Sequence, residues 1–198
     1  MVARTRAMLF ALGLFASAPG FGQSAPKGAP APADAKLAPC AACHGTSEKA
    51  PLPGMPSLSG QQAEFLAAQL FFIREGLRNV PQMEGMLKGT TDRDLTDMAT
   101  YFSKQRPLRV SGKPDPQLQS RGAALVKRQG CGTCHMPDFS GQRQIPRINA
   151  QREDYLAAAL KAYRDNQRSG SDTSMNAVMH GVSDSDILAL AHYLTYQP

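Results

Sequence analysis

The sequence predicts an all-α protein built from two copies of one small helical unit. Three observations indicate this. The second half of the chain repeats the first at an offset of about 91 residues, apolar residues recur at helical spacing in both halves, and little of the chain alternates as a strand would. A unit of about 80 residues fits twice into the 198 residues of the chain.

Two pairs of segments carry the repeat. Residues 54–78 (GMPSLSGQQAEFLAAQLFFIREGLR) align with 144–168 (QIPRINAQREDYLAAALKAYRDNQR), within the segment 143–168, at an offset of 90. Residues 91–102 (TDRDLTDMATYF) align with 183–194 (SDSDILALAHYL) at an offset of 92. Short loop insertions account for the drift in offset. The chain is therefore a tandem duplication, and residues at matching positions in the two units are twins.

Both segments are predicted to be helical, with recognisable ends. Gly76 and its twin Asn166 follow the apolar stripe of the first segment, and both residue types tolerate the left-handed backbone conformation that ends many helices. Thr91 and its twin Ser183 precede the stripe of the second segment. Both are good N-cap residues, and acidic residues follow them in the first helical turn.

The ends of the chain and the joint between the units have their own compositions. Residues 1–22 combine two arginines with the apolar run AMLFALGLFASA, which is typical of a secretory signal peptide; an uncleaved amphipathic anchor is the alternative. Residues 23–35 are rich in Pro and Ala and are expected to be a disordered lead-in. The two units then occupy 36–105 and 116–198, and a linker with two prolines and a glycine joins them at 106–115.

All four cysteines lie in two copies of the pattern Cys-x-x-Cys-His, CAACH at 40–44 and CGTCH at 131–135. Zinc ribbons, dithiol redox sites and covalently attached haem all use a Cys-x-x-Cys pair. A zinc ribbon does not need the histidine, and its pairs usually lie about 15–20 residues apart, whereas 87 residues separate Cys43 from Cys131. The doubled histidine therefore predicts two covalently bound haem c groups, with His44 and His135 as iron ligands.

Each iron then has one axial position left, and methionine is the candidate ligand. Met83 and Met175 are 92 residues apart, the offset of the helix that follows, and each precedes its N-cap by eight residues. Met86 and Met179 are 93 apart and miss this register. The register favours Met83 and Met175 as ligands. Packing near the haem edge, where a flexible thioether fills gaps, is the alternative use of the other pair.

The charge of the chain is uneven. The formal net charge is +6, and residues 106–198 hold twelve basic and eight acidic side chains while residues 23–105 hold eight of each. Four haem propionates would bring roughly four negative charges near pH 7, so the haem-loaded protein is expected to be close to neutral. No basic stripe is interleaved with aromatic residues, so the composition does not indicate nucleic-acid binding.

From about residue 36 to the end, the chain resembles the dihaem cytochrome c4 family. The resemblance rests on CAACHG, PSLSGQ and MEGM…TDRDLTDMATYF in the first unit, and on CGTCH, PRINAQ and MNAV…SDSDILALAHYL in the second. It implies two tandem class I cytochrome c domains, each a small helical bundle around one covalent haem with histidine and methionine as axial ligands. Carried over to this sequence, Cys40 and Cys43 hold the first haem, with His44 and Met83 as ligands, and Cys131 and Cys134 hold the second, with His135 and Met175.

The resemblance also implies a function. It indicates a periplasmic electron carrier that passes single electrons between respiratory-chain partners, such as a quinol-oxidising complex as donor and a terminal oxidase or reductase as acceptor. Export agrees with the haem motifs, because bacteria attach haem c outside the cytoplasm. A dedicated cytochrome subunit of a periplasmic dehydrogenase or oxidase complex is the alternative, and peripheral membrane association stays open. An enzyme such as a dihaem peroxidase would need an open iron, so an electron carrier without catalytic activity is expected.

Two pairs of twins have further expected roles. In class I cytochromes c, a proline at the position of Pro56 and Pro146 backs the iron-binding histidine through its carbonyl; a plain turn is the alternative. Arg78 and Arg168 match haem propionates chemically, but solvated cations at a helix end are equally compatible with the sequence.

The first unit departs from the family pattern before its haem motif. The second unit has a full helix there, in residues 116–130, whereas the first offers only ADAKLAP at 33–39. Its first helix is therefore expected to be very short or absent, its haem less buried, and the unit less stable than the second.

Overall fold

The computed structural model describes residues 32–168 and 173–198, so the expected signal peptide and most of the lead-in lie outside the described residues. The described residues are helical and contain no β-strand, only an isolated bridge between Gln142 and Ile145, which confirms the all-α prediction. The helices are α1 (Pro32–His44), α2 (Ala63–Arg74), a 3₁₀ turn (Pro81–Met83), α3 (Asp92–Ser103), α4 (Pro116–Arg128), α5 (Cys131–His135), α6 (Glu153–Arg164), α7 (Ser174–Met179) and α8 (Asp184–Thr195). Within these ranges no helix has the length and apolar character to cross a membrane.

The predicted twin helices are present, with the predicted ends. Helices α2 and α6 are twins, and so are α3 and α8. Thr91 forms a capping box with Asp94, in which each side chain accepts a hydrogen bond from the other residue's backbone N–H. The Ser183 side chain likewise accepts from the backbone N–H of its third neighbour. Gly76 and Asn166 end their helices with φ values of 68° and 54°, so the left-handed ends are confirmed.

The second unit has the larger core. Its centre is α8, which packs against both α4 and α6. Gly122 makes the close contact between α4 and α8 possible, because a Cβ there would lie 2.3 Å from the Cβ of Tyr193. Ala189, on the covered side of α8, is completely buried. The core residues of this unit are Leu125, Val126, Phe139, Leu156, Leu160, Met179, Val182, Ile187, Ala189, Leu190, Ala191 and Leu194.

The core of the first unit is smaller and is built where α2 packs on α3. Leu66, Ala99 and Phe102 are its buried members. Asp97, the twin of the buried Ala189, is exposed, and α1 makes no extensive contact with α3 in the part of the chain that the structure describes. The face of α3 that corresponds to the covered face of α8 is therefore polar and faces solvent.

The helix before the first haem motif differs from the prediction. It was expected to be very short or absent, but α1 runs without a break from Pro32 through the motif to His44. Residues 32–35, expected to belong to a disordered lead-in, form its first turn. A proline at the first position and the alanines that follow favour helix formation. Only eight residues of α1 precede the first motif cysteine, so the helical segment before this motif is still shorter than α4, which has 13 residues.

A reciprocal pair of hydrogen-bonded glutamines joins the two units. The side-chain amide of Gln61 accepts from the backbone N–H of Arg147 at 2.7 Å and donates to its carbonyl at 2.9 Å. The amide of Gln151 does the same with Ser57, at 2.8 and 3.0 Å. Gln61 and Gln151 are twins, and so are Ser57 and Arg147. The interface therefore follows a pseudo-twofold relation, as the duplication would produce if the units met face to face.

Arg147 adds an asymmetric contact to the same interface. Its guanidinium donates to the carbonyls of Ser59 at 2.8 Å and Gly60 at 3.2 Å in the first unit, and to Asn149 in its own. Burial lowers the pKa of Arg147 to about 10. The cation is therefore held in a buried part of the interface by carbonyl oxygens, which accept hydrogen bonds from its guanidinium.

Candidate cofactor sites

The two cysteine pairs are arranged in the same way. Cys40 and Cys131 are half-buried, Cys43 and Cys134 are exposed, and all four are free thiols. Burial raises the pKa of the Cys40 and Cys131 thiols, whereas a dithiol redox site needs a first cysteine with a lowered pKa. The pairs also do not converge into a group of metal-ligating side chains within the described residues. The geometry therefore favours two separate attachment sites over the dithiol and zinc alternatives.

The two motif histidines are held alike by backbone carbonyls. Nδ1 of His44 lies 2.9 Å from the carbonyl oxygen of Pro56, and Nδ1 of His135 lies 2.7 Å from that of Pro146. Since a carbonyl can only accept, Nδ1 carries the proton and donates it, and the lone pair is on Nε2. The expected role of the two prolines is confirmed.

Burial favours the neutral form of both motif histidines, which is the form that binds a metal. His44 and His135 are buried, and burial lowers the pKa of each ring, with the proline carbonyl opposing this shift. Both rings are therefore neutral near pH 7. No hydrogen bond to Nε2 of either ring is present among the described residues. A neutral imidazole, oriented by a carbonyl on one nitrogen and free on the other, is the arrangement found at metal-binding histidines, and it fits a haem iron.

The first candidate pair of methionines occupies equivalent, partly accessible positions. Met83 is half-buried at the end of the 3₁₀ turn. Met175 is half-buried on α7 and packs against the core of the second unit. Each lies eight residues before the N-cap of the last helix of its unit. The two methionines therefore share a sequence position relative to the helix that follows, and both are half-buried.

The other two methionines are not equivalent to each other. Met179 is a core residue, 2% exposed, and at the offset of 92 its twin is Leu87, which is also buried. Met86 is 51% exposed, and its twin at this offset is the exposed Val178. Met179 therefore packs where Leu87 packs in the first unit, and Met86 lies on the surface. These environments support Met83 and Met175 as the axial pair.

Arg78 of the first unit and Tyr155 and Arg168 of the second form a cationic cluster. The sequence indicated the two arginines but not Tyr155. The two terminal nitrogens of Arg168 each lie 3.4 Å from the hydroxyl of Tyr155, and its Nε is buried without a hydrogen-bond partner. Arg78 of the first unit donates to the Gln69 side chain. Burial and the charge of Arg168 lower the pKa of Arg78. Burial alone would raise the pKa of Tyr155, but the charges of Arg168 and Arg78 outweigh it and lower the value.

This cluster fits a ligand that brings carboxylates. No ion pair joins Arg78 or Arg168 to an acidic side chain within 32–168 and 173–198. Two partly buried guanidiniums that interact with the same phenol, one of them with a buried and unpaired N–H, are costly without a counter-ion. The arrangement therefore favours the propionate interpretation of the twin arginines over that of solvated helix-end cations. Tyr155 and Gln69 were missed because their partners lie 13 and 9 residues away, beyond the end of the helix that carries each of them.

The remaining buried histidine has a structural role. His192 accepts a hydrogen bond at Nε2 from the backbone N–H of Asp115, at 2.9 Å, and its Nδ1 contacts the Glu153 carboxylate at 3.0 Å. Both ring nitrogens are therefore used to join the starts of α4 and α6 to α8.

Comparison with known proteins identifies the family. The cytochrome c family model matches residues 119–197. Cytochrome c4 of Pseudomonas aeruginosa is 34% identical over 171 residues, covering 81% of this chain and 84% of the relative. A thiosulfate dehydrogenase electron acceptor of Thiomonas intermedia is 34% identical over 182 residues, covering 85% of this chain and 82% of the relative.

A solved structure gives the same result for the fold. The crystal structure of reduced recombinant cytochrome c4 from Pseudomonas stutzeri superposes with a TM-score of 0.76 at 33% identity, covering 84% of this chain and 97% of that one. The matches extend over both units, and they agree with the paired histidine and cysteine geometry. The chain therefore belongs to the dihaem cytochrome c4 family, whose two class I cytochrome c domains carry covalently bound haem c and transfer electrons.

Proposed function

We propose that the chain is a periplasmic dihaem carrier that passes single electrons between respiratory-chain partners through two haems with His/Met ligation. The observation that carries this proposal is the paired histidine geometry: both rings are buried, neutral and bonded through Nδ1 to a proline carbonyl. Two sites built alike indicate two cofactors with one task. The proposed domains are residues 36–105 and 116–198, joined by the linker 106–115.

Each residue of the proposed sites has a stated role. The haem supplies a one-electron iron couple, and the chain holds it, excludes water and sets its potential. The pairs Cys40/Cys43 and Cys131/Cys134 attach the porphyrins through their thiols, and the exposed second cysteine of each pair lies at the surface. The four axial ligands are His44 and Met83 in the first unit, and His135 and Met175 in the second.

The methionines support a carrier over an enzyme. A thioether ligand fills the last position on the iron and raises its potential, whereas oxygen or peroxide chemistry needs an open position. Met83 and Met175 have matching positions and similar burial, so the same closed ligation is proposed for both irons. Transfer of an electron then needs no bond to a substrate.

Paired methionine substitutions test this ligation. Met83→Ala and Met175→Ala should each remove the weak long-wavelength Met–Fe(III) absorption of one haem and lower its potential. Met86→Ala should leave both spectra unchanged, because this side chain is exposed. Met179→Leu introduces the residue found at its twin position and should also preserve them. If Met86→Ala removed the absorption and Met83→Ala kept it, Met86 would be the ligand of the first haem. The same result for Met179→Leu and Met175→Ala would make Met179 the ligand of the second.

The location and the partners belong to the same proposal. Residues 1–22 have the composition of an export signal. A quinol-oxidising complex as donor and a terminal oxidase or reductase as acceptor suit a carrier with potentials raised by methionine. The excess of basic side chains in the second unit suits transient docking on an acidic partner, which would weaken as salt concentration rises.

A dedicated subunit of a dehydrogenase complex is the second candidate. One of the relatives is a thiosulfate dehydrogenase electron acceptor. The first unit also exposes Phe71 and Leu77, whose twins in the second unit are the polar Lys161 and Gln167. Exposed apolar side chains on one unit are a feature of lasting interfaces. Co-purification that survives high salt would favour this candidate, while salt-sensitive association would favour the soluble carrier.

A further inference from the structure

The two arginines of the cationic cluster, Arg78 and Arg168, have different neighbours. Arg78 is supported by Gln69, and the twin of Gln69 is Ala159, which cannot offer a hydrogen bond. Arg168 is supported by Tyr155, and the twin of Tyr155 is Phe65, which lacks the hydroxyl. The duplication has therefore diverged at two positions on α2 and α6 that face the same pair of cations. Each arginine therefore has a polar partner at a different position of the preceding helix of its own unit.

Tyr155 differs from Gln69 in that it interacts with both units. Its hydroxyl is the acceptor for both terminal nitrogens of Arg168 in its own unit, at 3.4 Å. The guanidinium of Arg78, from the other unit, also lies close enough to this phenol to interact with its hydroxyl and charge. The hydroxyl therefore interacts with two cations that belong to different units.

The chemistry of the cluster points to carboxylates. A guanidinium fork binds a carboxylate through two parallel hydrogen bonds, and a phenol O–H donates one more while its oxygen accepts from the cations. The unpaired Nε of Arg168 is a donor without a partner in the same place. A haem propionate in each unit would satisfy these donors. How completely a propionate is neutralised affects the iron, because negative charge nearby favours the ferric state.

We propose that Tyr155 couples the two cofactor sites, because its hydroxyl positions Arg168 in its own unit and Arg78 in the other, and that it thereby sets the reduction potentials of both haems. This inference rests on the proposed two-haem function. Tyr155 is a positioning residue, since it acts through the arginines and the propionates they bind. A residue of the second unit is thus expected to influence the haem of the first.

Substitution of the hydroxyl alone tests the coupling. Full-length holoprotein carrying Tyr155→Phe, which makes the position like its twin Phe65, is titrated by spectroelectrochemistry. Weaker neutralisation of the propionates should stabilise both ferric states. We expect the ferrous/ferric equilibrium to fall by roughly threefold at each haem, which is a shift of about 28 mV when converted at 59 mV per tenfold change for one electron. Tyr196→Phe makes the same chemical change away from the cluster and should leave both potentials in place.

A second variant separates coupling from a general structural effect. Arg78→Gln removes the cation through which Tyr155 is proposed to reach the first haem. In the double variant Arg78→Gln/Tyr155→Phe, the effect of the tyrosine substitution on the first haem should disappear, while its effect on the second should persist. Additive shifts at the first haem would overturn the coupling.

A failure of the proposed role of Tyr155 can be told apart from a failure of the proposed two-haem function. A shift at the second haem alone, or at neither, would overturn the role of Tyr155 while leaving a dihaem carrier intact. Absence of covalent haem in the unsubstituted protein would instead refute the proposed function. If Tyr155→Phe yields too little holoprotein, Arg78→Lys tests the link from the other side. It keeps the charge and removes the fork, and it should shift the potential of the second haem as well as the first.

Discussion

Gln61 and Gln151 make the same two hydrogen bonds in opposite directions across the boundary between the units. Each side-chain amide pairs with the backbone N–H and carbonyl of one residue in the other unit, with all four distances between 2.7 and 3.0 Å. Both glutamines are buried. This relation fixes the orientation of the two haem motifs to each other, because the bonded segments lie next to the prolines that hold the motif histidines.

Removing either glutamine amide should weaken the interface. Gln61→Ala leaves the N–H and carbonyl of Arg147 buried without partners, at a cost of about 1–3 kcal/mol, and Gln151→Ala should cost a similar amount. Urea unfolding followed at the haem absorption measures the loss. Gln117→Ala, at an exposed position on α4, should change the stability by less than about 0.5 kcal/mol. Equal stability in all three variants would mean that the amides do not hold the units together.

The close approach of α4 to α8 should make Gly122 intolerant of a side chain. A Cβ at Gly122 would lie 2.3 Å from the Cβ of Tyr193 and 2.4 Å from the carbonyl oxygen of Ala189, so Gly122→Ala should destabilise the second unit by about 1–3 kcal/mol. Gly132→Ala is the matched control. Its Cβ would meet no atom nearer than 3.5 Å, and its twin Ala41 already carries a methyl group. Thermal melts of the two variants check this, and a smaller loss for Gly122→Ala than for Gly132→Ala would contradict the packing.

The two units should unfold separately, the first at the lower temperature. Six apolar residues of the first unit are buried and three of them form one cluster, whereas the second unit buries twelve in a single cluster. Among the described residues, no helix covers the solvent-facing side of α3 in the way that α4 covers α8. Less apolar burial gives less stabilisation. Spectra that distinguish the two haems, recorded during thermal unfolding, give the unfolding temperature of each unit. A first unit as stable as the second would show that the interface, and not the core, limits its unfolding.

Asp154 should make the stability depend on pH in the acidic range. Hydrogen bonds from Arg152, and a further one from the backbone N–H of Gly54 in the other unit, lower the pKa of this carboxyl to about 2. An unfolded aspartate titrates near 3.9, so this stabilisation is complete above about pH 4 and is lost as the pH falls towards 2.

The size of this effect is limited by solvent, because the carboxylate is 43% exposed. We expect Asp154→Asn to remove about 1 kcal/mol or less of stability at pH 7 and nearly nothing at pH 2. Asp97→Asn, on the exposed face of α3, should show no such difference. The free energy of unfolding of both variants and of the unsubstituted protein is measured between pH 2 and pH 7. If it depends on pH in the same way in all three, Asp154 does not cause the loss of stability in acid.

Local sequence signals predicted much of the fold. Thr91 and Ser183 were recognised as N-caps, and Gly76 and Asn166 as helix ends, because these features depend on a few neighbouring residues. The duplication extended each assignment to its twin. The proline carbonyls were predicted from the family resemblance, since their hydrogen bonds to the histidines span 11 and 12 residues.

Contacts between the units could not be predicted in this way. The partners of Gln61 and Gln151 lie 86 and 94 residues away, and a buried glutamine has the same local pattern as an exposed one. Tyr155 reads as an ordinary helical aromatic residue until Arg78 is brought beside it. For α1, the prolines suggested disorder, but Pro32 stands at the first position, where proline is compatible with a helix.

Two haems with closed His/Met ligation would make this chain an electron carrier. The most direct measurement is the optical spectrum of the exported protein, oxidised and reduced, with a haem count per chain by pyridine haemochrome. We expect two haems per chain and the long-wavelength Met–Fe(III) absorption at the strength of two methionine-ligated irons. Half that absorption or a high-spin signal would show an open iron and contradict the carrier assignment, and absence of covalent haem would contradict the whole account.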